Sequence, residues 1–392
     1  MARYLFTVPP LTGHLNPALS VASVLSSEGH EIAWAVHDDI RAKLPDSARC
    51  FSLGLAPVLT RNEQAAQVKG LESVRLFFED YSLPMARDAL PMLDMACRVF
   101  EPDLMVVDHQ MLAGALVARK HGCPWVSLVT TTASILRMSP MLDAWVEEQL
   151  LHLQRMYLPS RLQVARPDLS PQQVIVFSLE TLVGDQHPRL EAPYVFVGVP
   201  RGVGRQPTAF PWHWLRPELP KLLVSLGTVS RDRDTRFFEV IMDAVRDMPI
   251  QVIMVAPAVM AAQAPDHVLV CDYIPQPELL PHMHAVICHA GHNTVCESLA
   301  QGLPLIVAPI RDDQPVIARQ VIDAGAGIFM RYGKVSVSMA RQAIEQILTD
   351  TALKASAQRL ASLFNAVPGE VQAAKLMMER VSSRSALRSG VL

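Results

Sequence analysis

The stretch "ICHAGHNTVCESLAQGLPLIVAPIRDDQP", residues 287–315, decides the fold of the C-terminal half. It opens with the end of a short apolar run, which is followed by a turn of small residues. A helical pattern then starts near Asn293 or Thr294 and stops at Gly302, before a second apolar run at residues 304–308. This order is typical of a parallel sheet covered by helices. The start of such a helix leaves backbone N–H groups that suit a phosphate.

The same alternation of strand-length apolar runs and amphipathic helical segments continues through most of the chain, which predicts an α/β protein with two doubly wound parallel sheets. A stretch rich in Gly and Pro, residues 198–220, marks a linker between them. The predicted strands are residues 4–8, 31–36, 104–107, 125–129, 174–177 and 194–197, then 222–226, 250–255, 267–271, 285–288 and 304–308. The predicted domains are residues 1–200 and 220–369, joined by a linker at 201–219 and followed by a helix and tail at 370–392 that could pack on either domain.

Composition excludes several classes of protein. Half of the 392 residues are hydrophobic and 19% are charged, as in a folded globular protein. The net charge of -3 provides no basic field for nucleic acid, and the six cysteines are scattered without a disulfide framework. No secretory signal pattern is present, and no apolar segment reaches the roughly 20 residues of a membrane span. We therefore expect a soluble cytoplasmic protein, whose oligomeric state the sequence leaves open.

The turn and helix at residues 289–302 carry candidate anion ligands. His289 and Asn293 would add side-chain donors to the helix start, and Gly291 would let a phosphate approach the backbone closely. Glu297 shares a helix face with Asn293, and a carboxylate there suits two adjacent ribose hydroxyls. The alternative is a capping box, in which Thr294 caps the helix and Glu297 reaches back to its backbone N–H.

Metal binding is a second alternative, because "HMHAVICHAGH" gathers His282, His284, Cys288, His289 and His292. On a strand, neighbouring side chains such as Cys288 and His289 point to opposite faces, which spoils a compact tetrahedral site. We therefore predict no metal ion.

Three further loops each follow a predicted strand in the C-terminal half. "VSLGT", residues 224–228, can donate backbone N–H groups to a diphosphate. "DYIPQ", residues 272–276, offers an aromatic ring beside a proline-fixed turn as a platform for a base. In "RDDQP", Asp313 and Gln314 either cap the next helix or donate and accept hydrogen bonds at the hydroxyls of a sugar.

The motif "HAGHNTVCESLAQGLPLIVAP…DDQ" resembles the nucleotide-sugar signature of GT-B glycosyltransferases, the group that contains the UDP-glycosyltransferases and the bacterial transferases that modify antibiotics and carotenoids. The similarity of organisation covers most of the chain, starting at "GHLNP", residues 13–17. It implies two Rossmann-like domains facing across a cleft, a UDP- or TDP-sugar as donor, and no cofactor. Tyr273 and His292 depart from the tryptophans usual in relatives, and residues 311–312 from the usual aromatic or small residues.

The resemblance also assigns donor contacts to individual positions. The diphosphate would be held by His289, Gly291, His292, Asn293 and Thr294, with Ser225, Gly227 and Thr228; the ribose by Glu297; the base by Tyr273 and Ile274 in the loop that also contributes Gln276; and the sugar by Asp313 and Gln314.

The chemistry of such a donor requires a base in the N-terminal half. A nucleoside diphosphate is already a good leaving group, so the protein must only remove a proton from the attacking hydroxyl, a task suited to histidine at neutral pH. His14 follows the first strand, in a bend before a helix that would be capped and started by Asn16 and Pro17. Asp108 ends the strand "LMVVDH", where it would orient His14 or cap the next helix, and His109 is a rival base.

The acceptor side is predicted from apolar residues. Eight of the 18 methionines fall between residues 85 and 156, and their thioethers suit either an adaptable pocket or the hydrophobic core. We expect inverting transfer to a hydroxyl of a lipophilic natural product; a sugar-nucleotide epimerase and a non-catalytic auxiliary protein are the alternatives. The candidate acceptor residues are Phe77, Tyr81, Met85, Met111, Leu136 and Met138.

Overall fold

The computed structural model of the chain describes residues 1–57, 71–185, 187–201, 209–227 and 235–388. The chain folds into two compact units. Unit 1 comprises Met1–Phe177, His187–Gly204 and Val367–Leu392, and unit 2 comprises Ser178–Gln186 and Arg205–Ala366. The chain therefore enters unit 2 twice, and its C-terminal segment returns to unit 1.

Each unit contains one parallel sheet. The strands are β1 Arg3–Thr7, β2 Glu31–Val36, β3 Arg49–Ser52, β4 Leu104–Asp108, β5 Trp125–Val129, β6 Val174–Val176, β7 Tyr194–Phe196, β8 Lys221–Ser225, β9 Gln251–Val255, β10 Val268–Cys271, β11 Ala285–Cys288, β12 Leu305–Val307 and β13 Gly327–Phe329. The sheet of unit 1 has the order β3-β2-β1-β4-β5-β6-β7, and that of unit 2 has the order β10-β9-β8-β11-β12-β13.

All the strands predicted from apolar runs are present, and none of their ends moves by more than one residue. Two strands were not predicted, β3 and β13, and both lie at the edges of their sheets. Their residues are only partly buried, so they lack the continuous apolar run of a strand that is covered on both faces.

Thirteen helices surround the two sheets in the described residues. A single π-helical turn, Phe78–Ser82, joins the second helix to the third. The helices are α1 Thr12–Ser27, α2 Leu71–Phe77, α3 Leu83–Phe100, α4 Leu112–His121, α5 Pro140–Tyr157, α6 Glu180–Val183, α7 Arg236–Val245, α8 Gln276–Leu279, α9 His292–Ala300, α10 Gln314–Asp323, α11 Val337–Thr349, α12 Thr351–Phe364 and α13 Gly369–Arg388. None of these described helices is both long and apolar enough to cross a bilayer.

The start of α1 differs from the sequence prediction, which placed its first residue at Pro17. The helix begins at Thr12, because the carbonyl of Leu11 accepts from the N–H groups of both His14 and Leu15, at 3.0 Å each. Pro17 lies inside this helix, where its missing N–H group leaves one backbone hydrogen bond of the helix unmade. "GHLNP" is therefore the beginning of a helix and not a bend.

The C-terminal helix α13 packs in unit 1, against α1. Its buried side chains Ala373, Ala374 and Met377 join the core on that face of the first sheet. The N–H of Gly369 donates to the carbonyl of Val199 at 3.2 Å, which anchors the start of the helix. The opposite face of the same sheet carries a second core, formed with α3, α4 and α5.

Candidate active site

In unit 1, the predicted base and its partner are in direct contact. β1 and β4 are neighbouring parallel strands, so their carboxyl ends meet at one edge of the sheet. Asp108 is the last residue of β4, and His14 lies in the first turn of α1. The His14 Nδ1 atom is 2.8 Å from Asp108 Oδ2 and also 2.8 Å from Thr130 Oγ1. Sequence reasoning missed Thr130, although its position directly after β5 was a usable signal.

Asp108 fixes the tautomer of His14. Burial of the carboxyl group would raise its pKa, but His14 and His109 and the backbone N–H of Gln110 lower the pKa below its ordinary value. An ionised carboxylate can only accept, so Nδ1 of His14 carries the hydrogen and Nε2 keeps a lone pair. This arrangement leaves Nε2 as the proton acceptor of the pair.

His109, the rival base, uses both ring nitrogens for hydrogen bonds inside the protein. Nδ1 donates to the carbonyl of Leu128 at 3.2 Å, and Nε2 accepts from the hydroxyl of Ser134 at 2.8 Å. Burial lowers the pKa of His109, and the nearby Asp108 carboxylate opposes that shift. A buried, neutral imidazole with both nitrogens engaged is a poor proton acceptor for a substrate.

The capping alternative for Asp108 is excluded. The N-cap of α4 is Met111, and no side chain caps the helix. Asp108 Oδ1 instead accepts from the backbone N–H of Gln110 at 2.9 Å, which shapes the turn after β4. Its other oxygen remains for His14.

The histidine-rich stretch at residues 282–292 does not form a metal cluster among the described residues. His284 Nδ1 accepts from the backbone N–H of the first residue of β8. The one described group of metal-ligating side chains close enough to share an ion is His14, Asp108 and His109, within 4.8 Å of one another. Their hydrogen bonds favour the interpretation as an acid–base pair.

In unit 2, the side chain of His289 lies between two glycines. A Cβ built on Gly227 would come within 2.7 Å of His289 Cε1, and a Cβ built on Gly291 would come within 2.5 Å of Nε2. The sequence predicts that Gly291 lets a phosphate approach the backbone closely. The structure adds a second reason for glycine here: the imidazole of His289 fills the space that a side chain would need, so both glycines make room for the ring.

Burial lowers the pKa of His289 to about 4. The charge of Arg311 acts in the same direction, and a hydrogen bond with the backbone of Ser225 opposes it. The imidazole is therefore neutral near pH 7 and retains one N–H donor. Nδ1 is buried and has no hydrogen-bond partner among the described residues.

The helix after this turn, α9, begins at His292 with Gly291 as its N-cap and no side-chain cap. Asn293 and Thr294 are thus its second and third residues, and the capping box proposed for Thr294 and Glu297 is excluded. Glu297 Oε2 instead accepts from Gln276 Nε2 at 2.7 Å, which links α9 to the loop after β10.

The residues predicted to bind the nucleotide base of the donor lie in the loop after β10. The ring of Tyr273 is exposed, whereas Ile274 is buried and Gln276 begins α8. In the neighbouring loop, Ser225 ends β8, where it is paired in register with the last residue of β11. Thr228 lies outside the described residues.

The loop between β12 and α10 contains the predicted sugar ligands. Asp313 occupies the N-cap position of α10 but makes no side-chain cap bond, so simple capping does not account for it. Gln314 Oε1 accepts from the backbone N–H groups of Ile310 and Arg311, at 2.8 and 3.0 Å. The Gln314 carbonyl oxygen therefore fixes the loop, a role that the sequence did not indicate.

The candidate acceptor residues do not form one group. Met85 and Met111 are almost completely buried in the core formed with α3, α4 and α5, and Tyr81 lies in the same core. Their burial there favours the core-packing alternative. Of the remaining three, Phe77 packs against this core while partly buried, Leu136 is buried elsewhere, and Met138 is exposed.

Comparison with solved structures identifies the fold. The crystal structure of CalG4, the calicheamicin glycosyltransferase, aligns with a TM-score of 0.77 and 24% identity over 98% of this chain and 99% of that chain. The glycosyltransferase of kitacinnamycin aligns with a TM-score of 0.79 and 21% identity, over 97% and 98% of the two chains. The predicted GT-B fold is thereby confirmed.

Sequence comparisons agree. Residues 239–379 match the family described as Erythromycin biosynthesis protein CIII-like, C-terminal domain. Demethyllactenocin mycarosyltransferase of Streptomyces fradiae is 24% identical over 96% of this chain and 86% of its own length. NDP-glycosyltransferase YjiC of Bacillus subtilis (strain 168) is 24% identical over 88% of each chain. The chain is thus similar in sequence to glycosyltransferases, among them an enzyme that resembles it over 96% of its length, in agreement with the resemblance of its motif.

Proposed function

We propose that the chain transfers a sugar from a UDP- or TDP-sugar to a hydroxyl of a lipophilic small-molecule natural product, with inversion at the anomeric carbon. His14 is the general base, and Asp108 orients it. The observation that carries this proposal is the 2.8 Å hydrogen bond from His14 Nδ1 to the buried Asp108, which leaves Nε2 as the acceptor of the substrate proton.

The reaction is a single displacement. His14 Nε2 takes the proton of the acceptor hydroxyl while its oxygen forms a bond to the anomeric carbon. The bond from that carbon to the phosphate oxygen breaks, and its electron pair leaves with the nucleoside diphosphate. Asp108 stabilises the imidazolium that forms, as carboxylates do beside catalytic histidines. Attack opposite the leaving group converts an α-linked donor sugar into a β-glycoside, without a metal ion.

Known relatives support the choice of donor and acceptor class. Two structurally similar proteins were solved with TDP: the glycosyltransferase VinC, with a TM-score of 0.76, and the spinosyn rhamnosyltransferase SpnG, with a TM-score of 0.73. TDP-sugars are therefore the first donors to test. Two relatives are named for demethyllactenocin and calicheamicin, which supports a natural product as the acceptor of this chain.

The test is a panel of UDP- and TDP-sugars with lipophilic alcohols and phenols. Release of nucleoside diphosphate reports turnover, mass spectrometry identifies the product, and NMR assigns its anomeric configuration. His14→Ala should lower the transfer rate by roughly 10²- to 10⁴-fold while nucleotide affinity is retained. Asp108→Asn keeps the shape of the site but can donate to Nδ1, which moves the imidazole hydrogen to Nε2, so we expect a comparable loss.

His109→Gln is the matched control, because it removes the other imidazole beside Asp108. We expect it to keep most of the transfer activity. Transfer by His14→Ala near the wild-type rate would overturn the assignment of the base. Interconversion of donor sugars without release of nucleotide would indicate an epimerase, and inactivity with every donor an auxiliary protein. Loss of transfer with EDTA, restored by a divalent ion, would overturn the metal-independent mechanism.

A further inference from the structure

Arg311 is an almost completely buried cation whose one ion-pair partner among the described residues is Asp312. It lies in the loop after β12, and its side chain is only 10% exposed. Nε is 3.2 Å from Asp312 Oδ2, without hydrogen-bond geometry, and no other described residue accepts from Nε. The carboxylate of Asp312 is itself 47% exposed, so solvent screens much of its attraction. Burying a charge in this way is costly unless a further partner binds it.

The surroundings of Arg311 are suited to an anion. β11 and β12 are neighbouring parallel strands, and the N–H of Ala308 donates to the carbonyl of Cys288 at 2.8 Å, so the loop that carries Arg311 lies beside the turn that precedes α9. The positive charge of Arg311 contributes to the lowered pKa of His289 in that turn. The N-terminus of α9 carries partial positive charge and has Gly291 as its N-cap, with no side-chain cap. A cation, a helix N-terminus and a neutral imidazole thus lie together.

We propose that Arg311 binds the diphosphate of the sugar donor and compensates the negative charge that develops on the leaving nucleoside diphosphate. This inference rests on the proposed function. When the bond between the anomeric carbon and the phosphate oxygen breaks, its electron pair adds one negative charge to the leaving group. A fixed guanidinium stabilises that charge without gaining or losing a proton, as preorganised donors do in other transfer reactions.

The loop holds Arg311 in place for this role. Its backbone N–H donates to Gln314 Oε1 at 3.0 Å. The next residue, Asp312, has a left-handed backbone with φ 54°, which is unfavourable for a residue other than glycine and persists only where the surrounding structure enforces it. The backbone of the loop at Arg311 is therefore held in place before a donor binds.

The experiment compares nucleoside, monophosphate and diphosphate binding by calorimetry, in the thymidine and uridine series. Arg311→Gln should weaken diphosphate affinity by roughly 10- to 100-fold, the range of a charge-assisted hydrogen bond, and leave nucleoside affinity unchanged. Arg311→Lys keeps the positive charge, so its diphosphate affinity should fall less than that of Arg311→Gln. Arg319→Gln is the matched control: Arg319 lies exposed on α10, paired with Asp323, and its loss should change neither affinity.

A purely structural role of Arg311 would lower nucleoside and diphosphate affinity equally, and that result would overturn the proposal, as would an unchanged diphosphate affinity. If Arg311→Gln fails to fold, Arg311→Lys provides the same ratio of diphosphate to nucleoside affinity. With a saturating donor, the kcat of a folded variant should fall as well. If the wild-type protein binds neither diphosphate, the proposed function fails, and this outcome is distinct from diphosphate binding that is indifferent to Arg311.

Discussion

Substituting Gly291 by alanine tests the packing at the centre of the proposed donor site. The backbone of Gly291, at φ -65° and ψ 132°, accepts alanine without strain. The added Cβ, however, would lie 2.5 Å from His289 Nε2 and 2.6 Å from Cε1. The ring has little room to retreat, because it also lies against Gly227, where a Cβ would be within 2.7 Å of it. His289 or the turn must move.

Overpacking of this kind typically costs about 1 to 3 kcal/mol. Alanine is also a poorer N-cap than glycine, which adds up to roughly 1 kcal/mol that is unrelated to the ring. A double-mutant cycle with His289→Ala separates the two effects. Without the ring, Gly291→Ala should cost only the cap contribution, so we expect a coupling energy of roughly 1 to 3 kcal/mol.

The assay is urea unfolding of the four proteins at one pH, combined with the affinity of each for TDP. Gly333→Ala is the control, since a Cβ there would meet nothing within 4 Å. In the wild-type background, Gly291→Ala should lower the TDP affinity together with the stability. An equal cost of Gly291→Ala with and without the His289 ring would refute the steric explanation.

Two further predictions concern buried titratable groups. Asp94 accepts hydrogen bonds from Lys120 at 2.9 Å and from Tyr157 at 2.7 Å. Burial would raise the pKa of Asp94, but these bonds, a further bond from His121 and the charge of Lys120 lower it below its ordinary value. Asp94→Asn should therefore cost about 1 to 3 kcal/mol at pH 7 and less in acid, where the wild-type carboxylate loses its advantage; an equal cost at pH 7 and pH 3 in urea unfolding would contradict this. Burial lowers the pKa of His289 from 6.5 to about 4, so folding is favoured while the imidazole is neutral, and up to roughly 3 kcal/mol is lost as the pH falls from 6.5 to 4. His289→Gln should reduce that acid sensitivity, and identical pH profiles of the two proteins would disprove it.

The strands were predictable because burial on both faces requires continuous apolar runs, and this is a local property of the sequence. Strand β13, "GIF", has only three residues at a sheet edge, two of them partly buried and Phe329 exposed, so it is not a strand buried on both faces. The start of α1 at Thr12 was missed because Asn and Pro are common at helix starts, whereas the carbonyl of Leu11 that opens this helix has no side-chain signature.

The reason for Gly291 could not be read from the sequence either. A glycine before a helix is compatible with phosphate approach, with an N-cap and with a neighbouring side chain that needs the space. The structure shows two of these roles together, because Gly291 is the N-cap of α9 and also leaves room for the ring of His289. The same applies to the pair of His14 and Asp108: their places after neighbouring strands predicted proximity, but the hydrogen-bonding atom and the tautomer follow from the geometry.

A residue that directly follows a strand lies at the edge of a parallel sheet where ligands bind. Its position in the sequence does not show whether its side chain is already engaged in hydrogen bonds within the protein, and the loop after β12 illustrates this. Gln314 and Arg311 lie three residues apart in one loop. Gln314 has the side chain that a sugar hydroxyl prefers, yet its oxygen is occupied by two backbone N–H groups of the loop. Arg311 departs from the pattern of the relatives, and its Nε is the buried donor without a partner in the described residues. The buried donor that the protein leaves without a partner is the observation that favours Arg311 over Gln314 Oε1 as the proposed contact of the donor in this loop.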